Sequence, residues 1–87
     1  MAGSTDVTLA PGIVTNPERR DGRPTLAGTR ITVEEVLDRL AGGWSVDDLL
    51  RDWPHVTRAK LELALAFAAQ VMRAYTPASG AHGVGGR

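Results

Sequence analysis

From Leu63 to Met72 nine of ten residues are apolar, the exception being Gln70. The stretch sits in alanine-rich sequence of high helical propensity. Thr57 is placed to cap its start and Pro77 to stop it, so the sequence predicts a helix over 58–75. A helix apolar nearly all round has to be covered nearly all round. A chain of 87 residues has little to cover it with. At this size only about 60–65% of the unfolded surface is buried on folding. Four of the ten glycines fall in the last eight positions, which shortens the folded part further. The simplest cover for the far side is the same helix in a second copy. The expectation is a homodimer through this helix, with Leu61, Leu65, Phe67, Ala68 and Met72 at the interface.

Two shorter helices precede it. Val33, Val36, Leu37 and Leu40 follow the i, i+3, i+4, i+7 spacing of one apolar face. Thr32 with Glu35 forms a capping-box pattern and Gly42-Gly43 is a stop, so a helix is expected over 33–41. Ser45 starts another, with Asp47 and Asp48 at the positive end of its dipole. Val46, Leu49, Leu50 and Trp53 repeat the spacing, and Pro54 ends this helix near Asp52. The expected range is 46–52.

Before Thr32 the pattern is extended and broken. Ile13-Val14-Thr15 is a β-branched run between Pro11-Gly12 and Asn16-Pro17. Pro24-Thr25-Leu26 and Arg30-Ile31 are two further short extended segments around Gly28. Strands this short do not stand alone and are expected as a small ribbon or arm packed on the helices. The fold class is therefore mainly α, a three-helix domain with a short N-terminal β arm. Residues 1–10 read as a frayed end, 11–75 as one domain, and 76–87 as a flexible glycine-rich tail.

Several function classes are removed by what the chain lacks. With no cysteine there is no disulfide scaffold, thiolate metal site or thiol nucleophile. The only histidines, His55 and His82, show no metal-ligand spacing, and no metal or cofactor is expected. Gly28-Thr29-Arg30 is a turn signal rather than a phosphate loop, and no triad is visible, so no enzyme is expected. Met1 to Leu9 lacks a basic start followed by an apolar run, and the longest apolar run, Leu63–Ala69, is too short to cross a bilayer. A cytoplasmic protein is expected.

Ten Lys and Arg balance ten Asp and Glu. The balance hides a separation. Residues 18–31 carry four Arg against Glu18 and Asp21, whereas residues 32–52 carry six acids against Arg39 and Arg51. Arg19, Arg20, Arg23 and Arg30 suit phosphate contact, because a guanidinium binds oxyanions in a fork. They equally suit a solvated loop paired to the chain's own acidic helices, or an acidic partner protein. Arg58 and Lys60 stand in the first turn of the third helix, against its dipole. They form an anion receptor or pair locally with Asp52 or Glu62. The helices at 46–52 and 58–75 resemble a helix-turn-helix in outline, but the connection Trp53–Thr57 is long and the third helix is too apolar to lie in a groove. Trp44, Trp53 and Tyr75 are either core or partner anchors.

One ordered string of residues carries a family resemblance. Ile13, Asn16-Pro17, Gly22-Arg23-Pro24 and Gly28-Thr29-Arg30-Ile31 are followed by Gly42-Gly43, Ser45, Trp53-Pro54 and Ala64 to Ala69. Over about residues 11–73 the chain resembles the family known as domain of unknown function 433. The resemblance implies a small helix-turn-helix-like domain, often dimeric, frequently the antitoxin of a type II toxin–antitoxin pair. By that analogy the chain binds and neutralises a PIN-like ribonuclease and, with it, binds operator DNA to repress its own operon. Arg19-Arg20-Asp21 departs from the apolar or glycine-rich stretch expected there. The candidate DNA contacts are Arg19, Arg20, Arg23, Arg30, Arg58 and Lys60, and the candidate partner contacts Trp44, Trp53 and Tyr75. The alternative is a dimeric protein-interaction module with neither DNA binding nor enzymatic activity.

Overall fold

A computed structural model describes residues 5–75. Helix α1 spans Val33–Ala41, α2 Val46–Asp52 and α3 Arg58–Ala74. Their starts follow from side-chain caps. The Thr32 hydroxyl accepts the Glu35 N–H while the Glu35 carboxylate accepts the Thr32 N–H. Ser45 and Asp48 make the same reciprocal pair at α2, and the Thr57 hydroxyl accepts the Lys60 N–H at α3. Each cap contributes about 1 kcal/mol. Gly43 follows α1 with φ of 101°, a left-handed value that glycine takes without strain. Trp53, ahead of Pro54, leaves helical geometry with φ −121° and ψ 76°. Tyr75 is the C-cap of α3, its N–H donating to the Met72 carbonyl.

The N-terminal third is a three-stranded antiparallel sheet in the order β1 (Val7–Ala10), β2 (Ile13–Thr15), β3 (Thr25–Leu26). Val7 pairs with Thr15, Thr8 with Val14, and Ala10 with Ile13 across a bulge. Ile13 pairs with Leu26 and Val14 with Thr25. This corrects two expectations. Val7–Ala10, assigned to a frayed end, is a strand. No alternation marks it in the sequence, because three of its four side chains are exposed and its order comes from ladder hydrogen bonds rather than a buried face. Residues 1–4 and the expected tail at 76–87 lie outside the described residues. Arg30-Ile31 is a bend rather than a strand. It folds back on β3, with Leu26 N–H donating to the Ile31 carbonyl and Val33 N–H to that of Pro24, both at 2.9 Å. The buried Thr29 hydroxyl locks the bend, donating to the Leu26 carbonyl at 2.9 Å and accepting the Ile31 N–H at 3.0 Å.

The sheet is a wall of the core, not an appended arm. Ile13 and Leu26 are fully buried and join Val36, Leu49, Leu61 and Ala64 in one cluster. The architecture is three helices closed over a small antiparallel sheet. Leu61, assigned to a dimer interface, is 1% exposed inside this core and has no surface for a second copy. Leu65, Phe67 and Ala68 are half-buried against the same core.

The β1–β2 turn fixes α3 to the sheet. Gly12 has φ of 77°, and a Cβ added there would stand 2.6 Å from the Leu63 Cδ1. Glycine takes the positive φ of this turn without strain and spares Leu63 the shift that a Cβ would demand. The outer side of α3 carries Ala59, Ala66 and Ala69, all exposed. Alanine supplies helix propensity with little apolar area, so this side needs no cover. The apolar count along α3 therefore overstated the surface that must be buried.

Candidate functional site

The cations divide into those already paired and those that are not. Arg19 meets Asp6 at 3.0 Å, Arg20 meets Glu35 at 3.0 Å, and Arg23 meets Glu34. Arg58 meets Asp47 at 2.7 Å, so its local pairing is with neither Asp52 nor Glu62, the two carboxylates considered from the sequence. The Arg20 and Arg23 pairs tie the basic loop to the acidic start of α1, the Arg19 pair ties it to the residue before β1, and the Arg58 pair ties α3 to α2. The pairs of Arg23 and Arg58 are exposed, and such pairs contribute about 0–1 kcal/mol each, so another oxyanion can take the carboxylate's place. Arg30 is exposed and, among the described residues, no carboxylate pairs with it. Lys60 reaches the Ala27 carbonyl, at 3.4 Å, and among the described residues no carboxylate. Arg30 and Lys60 thus attend the same bend, Ala27–Arg30, from distant parts of the sequence.

Arg20 joins that bend to α1. Its guanidinium donates to the Arg30 carbonyl at 2.8 Å and to the Glu35 carboxylate at 3.0 Å. To do so the chain winds a 3₁₀ turn over Arg20–Gly22 with φ of 50° at Arg20 and 58° at Asp21. Left-handed geometry at a residue with a Cβ costs on the order of 1 kcal/mol. Burial is the largest influence on Glu35 and raises its pKa. The Thr32 N–H, the Arg20 charge and hydrogen bond, and the Thr32 hydroxyl together outweigh it and hold the carboxyl below its ordinary value. At α2 the Ser45 N–H, then its hydroxyl and Arg51, hold Asp48 low in the same way.

The two tryptophans share a cation. The Arg39 guanidinium lies 4.7 Å from the Trp44 ring centre and 4.6 Å from that of Trp53, and its Nη1 bonds Asp52. This clamp closes the α1–α2 corner. Trp53 is packed on the core, while Trp44 remains 40% exposed beside a shallow depression formed by Gly42, Gly43, Asp48, Arg51 and Asp52. Nothing in the spacing of Arg39 shows from the sequence that two rings, one ahead of α2 and one at its end, converge on it.

The apolar surface lies elsewhere. The core face of α3, Leu61, Ala64 and Ala68, continues along the same side into Val71, Met72 and Tyr75. These last three are 50%, 66% and 79% exposed. Val71 and Met72 also line a groove that runs between Val33 and Leu37 of α1 and Phe67 and Ala68 of α3. Glu34 is the one charged residue that lines it. Leu37 and Val71 are not among the interface residues expected from sequence, although Leu37 belongs to the apolar face of α1 and Val71 to the apolar run of α3. Tyr75, a candidate partner contact, stands at the end of this face, remote in sequence from Trp44 and Trp53.

Among the described residues no three His, Cys, Asp or Glu gather into a group able to hold a metal ion. No helix of the described residues is long and apolar enough to cross a membrane.

Comparison with known proteins agrees with the ordered string of motifs. A family model described as protein of unknown function (DUF433) matches residues 13–68, more than half of the chain. The chain belongs to the DUF433 family. A similar curated protein is the "Uncharacterized protein y4eO" of Sinorhizobium fredii (strain NBRC 101917 / NGR234), 38% identical over 64 residues. The aligned part is 72% of this chain and 29% of that relative, so the chain spans under a third of the curated relative's length. No solved structure matches the chain. The DUF433 match starts at Ile13, a fully buried residue of β2, and ends at Ala68, the last α3 residue packed on the core. The DUF433 segment is thus the compact body, and the uncovered Val71–Tyr75 end lies just beyond it.

Proposed function

We propose that this DUF433 chain is an antitoxin-type binding protein. In this reading it acts as a homodimer through α3, holds a PIN-like ribonuclease inactive, and with it binds operator DNA. The observation that supports it best is the uncovered end of α3, where Val71, Met72 and Tyr75 extend the core face beyond the body. Exposed apolar surface of this kind, flanked by polar residues, is suited to another protein chain. Trp44 beside its depression offers an aromatic anchor to a second partner. The test is co-expression with the ribonuclease-like product of the neighbouring reading frame. Rescue of growth and recovery of the two proteins as one complex are expected. Unrelieved growth arrest with both proteins present sinks the reading.

Contact with DNA is supported by the cations that no carboxylate holds. Arg30 and Lys60 at the Ala27–Arg30 bend are the first contacts, Arg23 and Arg58 join by exchanging an exposed carboxylate for a phosphate, and Arg19 and Arg20 join only on leaving their more buried pairs with Asp6 and Glu35. A mobility-shift assay on the upstream promoter fragment tests this at low salt. Replacing Arg30 and Lys60 by alanine is expected to weaken binding across sequences. It is also expected to lower the salt slope by about one for each of the two cations removed. No shift at low salt, with or without the partner, leaves the runner-up, a dimeric interaction module that does not touch DNA.

A further inference from the structure

We infer that the α1–α3 groove is filled by the Met72–Tyr75 end of a second copy of this chain, each copy giving its end to the other's groove. The inference rests on the homodimer in the reading above and specifies its contact. The groove and the projecting end lie on one face of one helix. Ala68, on the groove floor, Met72 and Tyr75 are four and seven residues apart, so they rise along the same side of α3 over about 10 Å. Met72 lines the edge of its own groove and stays 66% exposed, so a two-fold axis through this face brings Met72 of each copy to the groove of the other. With α3 antiparallel to its copy, Met72 of each protomer stands over Leu37 and Phe67 of the other.

Charge permits this self-contact. Glu34, the one charged residue of the lining, is paired with Arg23 of its own chain, so it presents no unpaired carboxylate to a second copy, and Arg73 is the one charged residue of the end that enters. Area permits it as well. The open parts of Leu37, Val71, Met72 and Tyr75 amount to on the order of 500 Å² per copy, and two such patches reach about 1,000 Å², where specific interfaces begin. The chain's own tail is a poor alternative occupant. Residues 76–87 carry one aliphatic side chain larger than alanine, Val84, apart from Pro77. The interface expected from sequence changes accordingly: Leu61 leaves it, and Leu37 and Val71 of the groove enter.

The test uses the full chain at micromolar concentration in light scattering. The unmodified protein is expected at twice the chain mass. Met72→Arg and Leu37→Glu are each expected to raise the dimer dissociation constant at least 100-fold, so that the mass halves while circular dichroism stays unchanged. Met72→Leu is expected to stay dimeric. Because the chain has no cysteine, a second measurement is free of background. Leu37→Cys protein mixed with Met72→Cys protein is expected to give a mixed disulfide between two chains on mild oxidation. This arm decides the matter if Met72→Arg fails to fold. A monomeric unmodified protein overturns the inference and the homodimer together. A dimer indifferent to both charged variants, or no mixed disulfide, overturns the inference while leaving antitoxin activity and another dimer contact standing.

Discussion

The two halves of α3 carry the same stripe and meet different fates. In the first half Leu61 and Ala64 are 1% and 0% exposed, sealed by α1, α2 and the sheet. In the second half Val71, Met72 and Tyr75 continue that face and are 50%, 66% and 79% exposed. A hydrophobic period thus reports that a face will be covered but not by what. Here the body of the domain runs out at Ala68 while the helix continues for six residues. The first half stabilises the fold, and the second stays uncovered by the described residues.

Shortening a side chain in each half puts this contrast at greatest risk. Leu61→Ala is expected to destabilise the protein by about 2–5 kcal/mol, since it opens a cavity in a sealed core. Urea unfolding followed by circular dichroism checks it. Gly12→Ala is next, at roughly 2 kcal/mol, because the new methyl group meets Leu63 and the turn requires positive φ. This variant tests whether the first half of α3 depends on the sheet as well as on the helices. Met72→Ala is expected to change the stability of the isolated chain by no more than about 0.5 kcal/mol, as a largely exposed side chain should. Equal losses from Leu61→Ala and Met72→Ala in dilute solution would erase the distinction between the halves.

The smallest expected effect concerns pH. Glu35 has its pKa lowered in the folded state, so its contribution is present above the unfolded carboxylate value of 4.5 and is lost as pH falls through the folded value. Stability is therefore expected to decline below about pH 4.5. Glu35→Gln keeps a side chain able to cap Thr32 but removes the titrating charge beside Arg20. Its urea midpoint is expected to fall less between pH 7 and pH 3 than that of the unmodified protein. An identical decline would remove Glu35 from the acid response.

Much of the helical part was legible because its signals are local. Thr32, Ser45 and Thr57 are caps that act within three residues, and Gly42-Gly43 and Pro54 are stops that act within one. The ranges 33–41 and 46–52 follow from those residues alone. The sheet was less legible. β1 exposes three of its four side chains, so no alternation marks it, and its order depends on pairing with β2. The candidate site divides in the same way. That arginines gather before Thr32 is plain from the sequence. Which of them are held by carboxylates is not, because Glu34, Glu35, Asp47 and Asp6 reach them only once the chain has folded.

Three capped helices, a basic loop beside acidic helices, and an apolar stripe too long for so small a body were all set at the level of sequence. These are properties of neighbouring residues and of period, so they hold without knowledge of the fold. Packing settled the rest: that the sheet walls the core, that Leu61 faces inward, and that Arg30 and Lys60 meet at one bend while the other cations of the loop are held. It also settled where the stripe emerges. Burial and ion pairing depend on which distant segments arrive at a surface, and that is fixed only when the whole chain packs at once.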